Sequence, residues 1–335
     1  MLGLKRDWRS KPDAKRRTVL GVYWAGAVFG LVFGVAGFAW LEFRDRLRRP
    51  EAAPLRAIPS DGLTAAIEKN RVPFEQAVIE SIRDRGLVSV TVHVSLADRK
   101  LDHLSPVDDK FGDGDDPSRN QYWGALFGVE TYLLNKAGWR RAFTDSGDGV
   151  RIVRRVVFHR KAETSEAWRK RGVTEPFDVY VLANAWRSSR ISEAMVQPLR
   201  DALSGESMTL TVDGRRLTFG GGSSVVGYVG QNAMMAGYWD PFVGLSTVSA
   251  DAQVGLFYLC WKSAVYLHRS VVERGLYPVL FVRQEVVPEG YLLDGLLRSL
   301  ISGELDDGFL NSAASEYAKN QPTVSFDHAR AMFFR

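Results

Sequence analysis

Between Thr18 and Leu41 the chain reads TVLGVYWAGAVFGLVFGVAGFAWL, without a charged residue. As a helix rising about 1.5 Å per residue, this run is long enough to cross a hydrocarbon core of roughly 30 Å. It predicts a single transmembrane helix over 18–41. A cleaved signal peptide has a shorter apolar region closing on small residues, whereas here Phe38, Trp40 and Phe43 lead up to Arg44. Trp24 and Trp40 suit the two membrane interfaces. Lys5, Arg6, Arg9, Lys11, Lys15, Arg16 and Arg17 precede the run, and Arg44, Arg46, Arg48, Arg49 and Arg56 follow it. The positive-inside rule then favours a cytoplasmic N-terminus by a small margin and puts the bulk of the chain on the extracytoplasmic side. Gly26, Gly30 and Gly34 recur every four residues, which brings three positions without side chains onto one helix face. That spacing implies self-association in the bilayer, so the expected partners are lipid and a second copy of the chain.

The remaining sequence is that of a globular protein. Of 335 residues, 45% are hydrophobic and 25% charged, which excludes a disordered, collagen-like or many-spanning chain. The lone Cys260 excludes an intrachain disulfide, a zinc site built on several cysteines and an iron–sulfur cluster. The net charge of +5 comes largely from the first fifty residues, beside the apolar run, so it is no nucleic-acid signature. The later basic run RIVRRVVFHRK has strand spacing and no aromatic stacking platform. No cofactor or metal is expected.

Four segments follow: a basic tail over 1–17, the apolar helix over 18–41, an Arg/Pro/Ala-rich linker over 42–62, and one α/β domain over 63–335. A helix is expected over 63–85. Beyond it, apolar runs of strand length at 88–96, 150–158, 177–185, 224–229, 254–259 and 277–282 alternate with helical periodicity at 121–137, 191–203, 263–274, 290–301 and 308–318. This is the signature of a mostly parallel sheet flanked by helices. In TLTVDGRRLTFGG, the Asp213-Gly214 pair between alternating runs signals a type I′ hairpin.

Functional groups of open parallel sheets collect beyond the carboxyl ends of the strands. Two ends carry candidate chemistry: SSVVGYVGQNAMM leads to Gln231, and VGLFYLCWKSAVYL leads to Cys260. On neighbouring strands these residues would face one another. A strand closing on Gly-His followed by a strand closing on a cysteine is similar to the caspase-like cysteine peptidases, the class of metacaspases and gingipain-type proteases. VSVTVHVSL, NQYWGALFGVETYLLNKAGW and VYVLANAWRSSRISEAMVQPLRDAL resemble that family's earlier elements, and the likeness extends over 88–300 with an insertion at 150–158. PVLFVRQEVVPEGYLLDGLL and SEYAKNQ look like the C-terminal half of uncharacterised bacterial relatives, which implies a bacterial inner membrane.

The resemblance implies a thiol nucleophile at Cys260 and a histidine at the position held by Gln231. A cysteine protease needs a base to raise its thiolate population, and an amide does not titrate. Losing general acid–base help costs about 10² to 10⁴ in rate. The expectation is therefore a degenerate peptidase acting as a binding or scaffolding module for a protein or peptide. The alternative is an active endopeptidase in which another histidine serves Cys260. His159 closes a strand and is the best placed, while His268 lies about two turns into the following helix. His93 sits within a strand, and His103 and His328 in loop or tail. Core packing is the competing role for Cys260, since free cysteine is among the most buried residue types. Asp108, Asp109, Asp113, Asp115 and Asp116 form an acidic loop without EF-hand spacing, read as a solvated turn or as a selector of a basic peptide residue near the groove.

Overall fold

Nine residues, Leu87–Ser95 (LVSVTVHVS), form β1, and every one of them is buried. Successive side chains of a strand point to opposite faces, so Val88, Val90, Val92 and Val94 line one face while Ser89, Thr91, His93 and Ser95 line the other. Such a strand is stable only if both neighbours take its backbone groups and both faces are covered. The computed structural model describes residues 62–335 apart from 102, 105, 238 and 246–252, and it places β1 in that central position. The expected membrane helix over 18–41, its Gly26, Gly30 and Gly34, and all but the last residue of the linker lie outside the described residues. Among the described residues, no helix is long and apolar enough to cross a membrane.

After α1 (Leu63–Arg85) and β1, the chain forms α2 (Val129–Asn135), β2 (Arg140–Asp145), β3 (Ile152–Ala162), α3 (Glu166–Lys170) and β4 (Phe177–Trp186). It continues through α4 (Ile191–Ser204), β5 (Ser207–Val212), β6 (Arg215–Gly220), β7 (Val225–Val229) and β8 (Gly255–Leu259). A π-helical turn over Ala264–His268 leads into α5 (Arg269–Glu273), then β9 (Tyr277–Val282), α6 (Gly290–Ser302), α7 (Asp307–Asn320), α8 (Phe326–Met332) and β10 (Phe333–Phe334). Among the described residues, eight strands make one sheet in the order β10-β9-β8-β7-β1-β4-β3-β2, and β5 and β6 form a separate pair. From β9 to β4 neighbouring strands are parallel, whereas β3, β2 and β10 are antiparallel to their neighbours. The expected α/β class with a mostly parallel, helix-flanked sheet is present.

One face packs its valines against Phe74 and Val78 of α1, Leu133 of α2, Leu293 and Leu297 of α6 and Phe309 of α7. The opposite face is shared. Met195 and Leu199 of α4 and Val271 of α5 cover β7 and β8, while Val212, Leu217 and Phe219 of the β5–β6 hairpin cover Tyr180 and Leu182 of β4. α1 is fastened at mid-length by Asn70, whose Nδ2 donates to the carbonyls of Val272 and Leu276 at 3.0 and 3.1 Å.

The expected helix over 121–137 survives only as α2. Its first half is wound around Asn120, whose buried carboxamide takes the backbone N–H of Ala97 and Tyr122 and donates to the carbonyls of Ala97 and Asp113. These side-chain bonds compete with helix formation. The edge strand β2 escaped the sequence reading because RRAFTD is charged and half exposed, a pattern that protects a sheet edge from further pairing.

The hairpin turns through Asp213 at φ 50° and Gly214 at φ 77°, the two positive angles of a type I′ turn. A β-branched side chain at the second position is strained by about 1–3 kcal/mol. Gly214→Val is therefore expected to lower the unfolding free energy by about that amount in urea titration. An unchanged midpoint would show that the turn does not hold the hairpin in place.

Candidate functional site at the carboxyl edge of the sheet

β7 and β8 are adjacent and parallel, with Val229 opposite Leu259, so the chain leaves both strands side by side. Gly230 turns at φ 151°, open to glycine, and Gln231 follows almost completely buried. Its side chain joins the loop after β1: Oε1 accepts from the Asp98 N–H at 3.3 Å and Nε2 donates to the Leu101 carbonyl at 3.1 Å. Its own carbonyl accepts from the Tyr228 hydroxyl at 2.8 Å. The next residue, Asn232, was not singled out in the sequence, yet it stitches the two strand ends together. Its Nδ2 donates to the Trp261 carbonyl at 2.7 Å and its Oδ1 caps the short turn at the Met234 N–H. An asparagine before a short AMM turn is the capping signal that would have marked it.

Cys260 is fully buried in the apolar cluster with Met195, Tyr228, Tyr258, Ala264 and Leu267. Burial pushes its thiol well above the ordinary value, opposed weakly by a hydrogen bond to Ser263. The Ser263 hydroxyl donates to the Tyr258 carbonyl at 2.7 Å and accepts from the Val282 N–H at 2.9 Å, closing the turn beneath the sulfur. Lys262 adopts a left-handed φ of 56°, and its N–H reaches the Gln284 carbonyl at 3.2 Å. The turn after Cys260 is thus tied to both β9 and the loop beyond it.

The structure parts His159 from Cys260. On β3, His159 stands opposite Tyr180 of β4 and Arg140 of β2. Four strand spacings of about 4.8 Å separate β3 from β8, roughly 19 Å across the sheet. Nδ1 accepts from Arg140 Nε at 2.9 Å and Nε2 faces Asp178 Oδ1 at 2.8 Å, so the ring is occupied in an ion-pair cluster at the far edge. It is not a base for Cys260. His268 is fully buried between the rings of Phe281 and Phe334, at centroid distances of 5.4 and 4.5 Å.

His93, a strand residue in the sequence, is held in the core by both ring nitrogens. Trp186 Nε1 donates to its Nδ1 at 3.0 Å, which leaves the proton on Nε2 to be donated to Asp201 Oδ2 at 2.9 Å. Gln197 fills Asp201 Oδ1 at 2.9 Å. With both ring nitrogens engaged and no nucleophile among its partners, this pair clamps α4 onto the sheet. The polar alternation S-T-H-S in β1 was its signal.

In the acidic loop, Asp108, Asp113 and Asp116 each accept a backbone N–H two residues ahead, and Asp115 pairs with Arg187 at 2.7 Å. The Ser118 hydroxyl and N–H hold the Asp116 carboxyl below its usual range. Among the described residues, no group of three or more His, Cys, Asp or Glu side chains is placed to hold a metal ion. Among the described residues, a cleft of about 550 Å³ opens beside Asp84 and Gly222 at the amino edge, and one of about 210 Å³ between α4 and the hairpin.

His268 supplies a pH test. Burial, with the Arg283 charge nearby, lowers its pKa from 6.5 to about 4, so the folded chain binds this proton less readily than the unfolded chain. The stability it permits is complete above about pH 6.5 and falls as pH drops towards 4, by roughly 3 kcal/mol at about 1.4 kcal/mol per unit. His268→Phe is expected to shrink the difference in unfolding free energy between pH 7 and pH 4 by that amount. An unaltered difference would mean that His268 titrates normally in the fold.

No protein-family model, curated protein or solved structure matches the chain, so the chemistry of the site rests on its own geometry.

Proposed function

We propose that residues 63–335 form a caspase-like domain disarmed at its dyad, which serves as a binding or scaffolding module and is held at a bacterial inner membrane by the segment 18–41. The observation that carries this reading is the state of the two dyad positions. They leave adjacent parallel strands, as the resemblance requires, but Cys260 is sealed in the core and Gln231 is bound into the loop after β1. A buried, protonated thiol beside a non-titrating amide supplies neither nucleophile nor base. The mostly parallel, helix-flanked sheet supports the reading at the level of the α/β class.

A partner surface is available at this edge. The long loop after β1 exposes Phe111 and Leu126 and carries the acidic residues 108–116, a combination suited to a basic peptide with apolar side chains. The uncharged run and the Gly26/Gly30/Gly34 spacing support a membrane-bound homo-oligomer whose N-terminus is cytoplasmic and whose domain is extracytoplasmic.

The test is hydrolysis of fluorogenic peptides with arginine or lysine before the scissile bond, by the full chain and by Cys260→Ala. The expected result is the same background rate for both. Turnover that disappears with the sulfur would establish an active cysteine peptidase and overturn the reading. The full chain is also expected to stay with the membrane pellet through an alkaline carbonate wash, and its release would contradict the anchor.

A further inference from the structure

A parallel sheet normally buries apolar side chains on both faces. Here the face turned towards α4 and the hairpin carries polar groups on β1 and its neighbour β4, among them Thr91 and His93 on β1 and Asn184 on β4. Thr91 and His93 find partners within the protein: Ser223 Oγ and the Gly220 N–H for the hydroxyl, Trp186 and Asp201 for the imidazole. Asn184 is satisfied on one side alone. Its Oδ1 accepts from Arg155 Nε at 3.2 Å, while its amide NH₂, on a residue only 2% exposed, has no hydrogen-bond partner among the described residues. It lines the cleft of about 210 Å³ left where α4 and the hairpin fail to meet over β4.

A second unpaired donor lines the same cleft. Arg200 of α4 is half-buried, and no described carboxylate or carbonyl pairs with its guanidinium. Arginine in such a place costs side-chain entropy and desolvation that a partner would repay, and its planar fork matches a carboxylate. The formal charges of the wall cancel, with Arg151 and Arg200 against Asp201 and Glu206. Asp201 is already engaged on both oxygens, whereas Glu206 at the rim accepts on Oε2 from Gln197. A free anion would unbalance this wall, but a molecule carrying both charges would not. Leu182 and Met208 supply an apolar side to the cleft. Its volume is below the roughly 300–1,000 Å³ of drug-sized pockets, which restricts the occupant to a small molecule.

We propose that this cleft binds a small zwitterion, a free α-amino acid with an apolar side chain: the carboxylate meets Arg200 and the Asn184 amide, the ammonium meets Glu206, and the side chain lies against Leu182 and Met208. Neither Gln231 nor Cys260 lines the cleft, and the proposal stands independently of the reading above.

Isothermal titration of the purified full chain with L-leucine, isocaproate and isopentylamine tests it, since the two analogues each keep one charge. Leucine is expected to bind at least tenfold more tightly than either. Arg200→Gln and Glu206→Gln are each expected to weaken leucine binding tenfold or more, with partial recovery in Arg200→Lys and thermal midpoints unchanged. The proposal is overturned if leucine gives no saturable binding up to millimolar concentration, if either analogue binds as well as leucine, or if Arg200→Gln folds normally and binds leucine unaltered.

Discussion

β1 is hydrogen-bonded in parallel on both edges and buried on both faces, and the rest of the domain is arranged to make that possible. Its valine face needs only apolar cover, which α1, α2, α6 and α7 provide. Its other face is more demanding, because an unpaired buried hydroxyl or imidazole costs about 1–3 kcal/mol. Trp186 and Asp201 answer His93, and Ser223 and the Gly220 N–H answer Thr91. These bonds fix the height of α4 and the position of the chain between β6 and β7. The cleft beside Asn184 lies where that polar face runs beyond the reach of its covering elements.

The same economy governs the carboxyl edge. Three amides, from Asn120, Gln231 and Asn232, hold the loops after β1, β7 and β8 by side-chain bonds to backbone. An amide suits this task because it donates and accepts without titrating. The residue standing where the resemblance expects a general base is thus spent on loop architecture. Cys260 follows from the same arrangement: with Ser263 closing the turn and Tyr228 and Tyr258 packed about it, the sulfur belongs to the core.

Much of this was legible in the sequence. The runs at 177–185 and 277–282 fell within a residue of β4 and β9, because apolar stretches bounded by turn residues have one stable home in a parallel sheet. The helix over 63–85 and the Asp213-Gly214 turn were equally plain. The losses have physical causes. Asn120 drew 121–128 out of a helix by long-range side-chain bonding, which no local periodicity records. β2 is a charged, half-exposed edge strand, and β10 is a pair of phenylalanines too short to show a strand period. His159 looked apt because the apolar run 150–158 ends beside it, but β3 continues to Ala162 and runs antiparallel at the far side of the sheet, a fact of topology. The sequence places His93 within a strand and no more, because its two ring partners come from distant elements.

The central claim, that the dyad positions are structural, is tested most directly by the pH dependence of Cys260 alkylation with iodoacetamide in the native full chain and in Gln231→His. A thiol sealed by burial should be inert from pH 6 to 9 in the native chain and become reactive only on unfolding in urea, where it titrates near the ordinary value of about 8.5. Rapid alkylation of the folded native chain with an apparent pKa of about 7 or below would reveal an accessible, base-assisted thiolate and contradict the account.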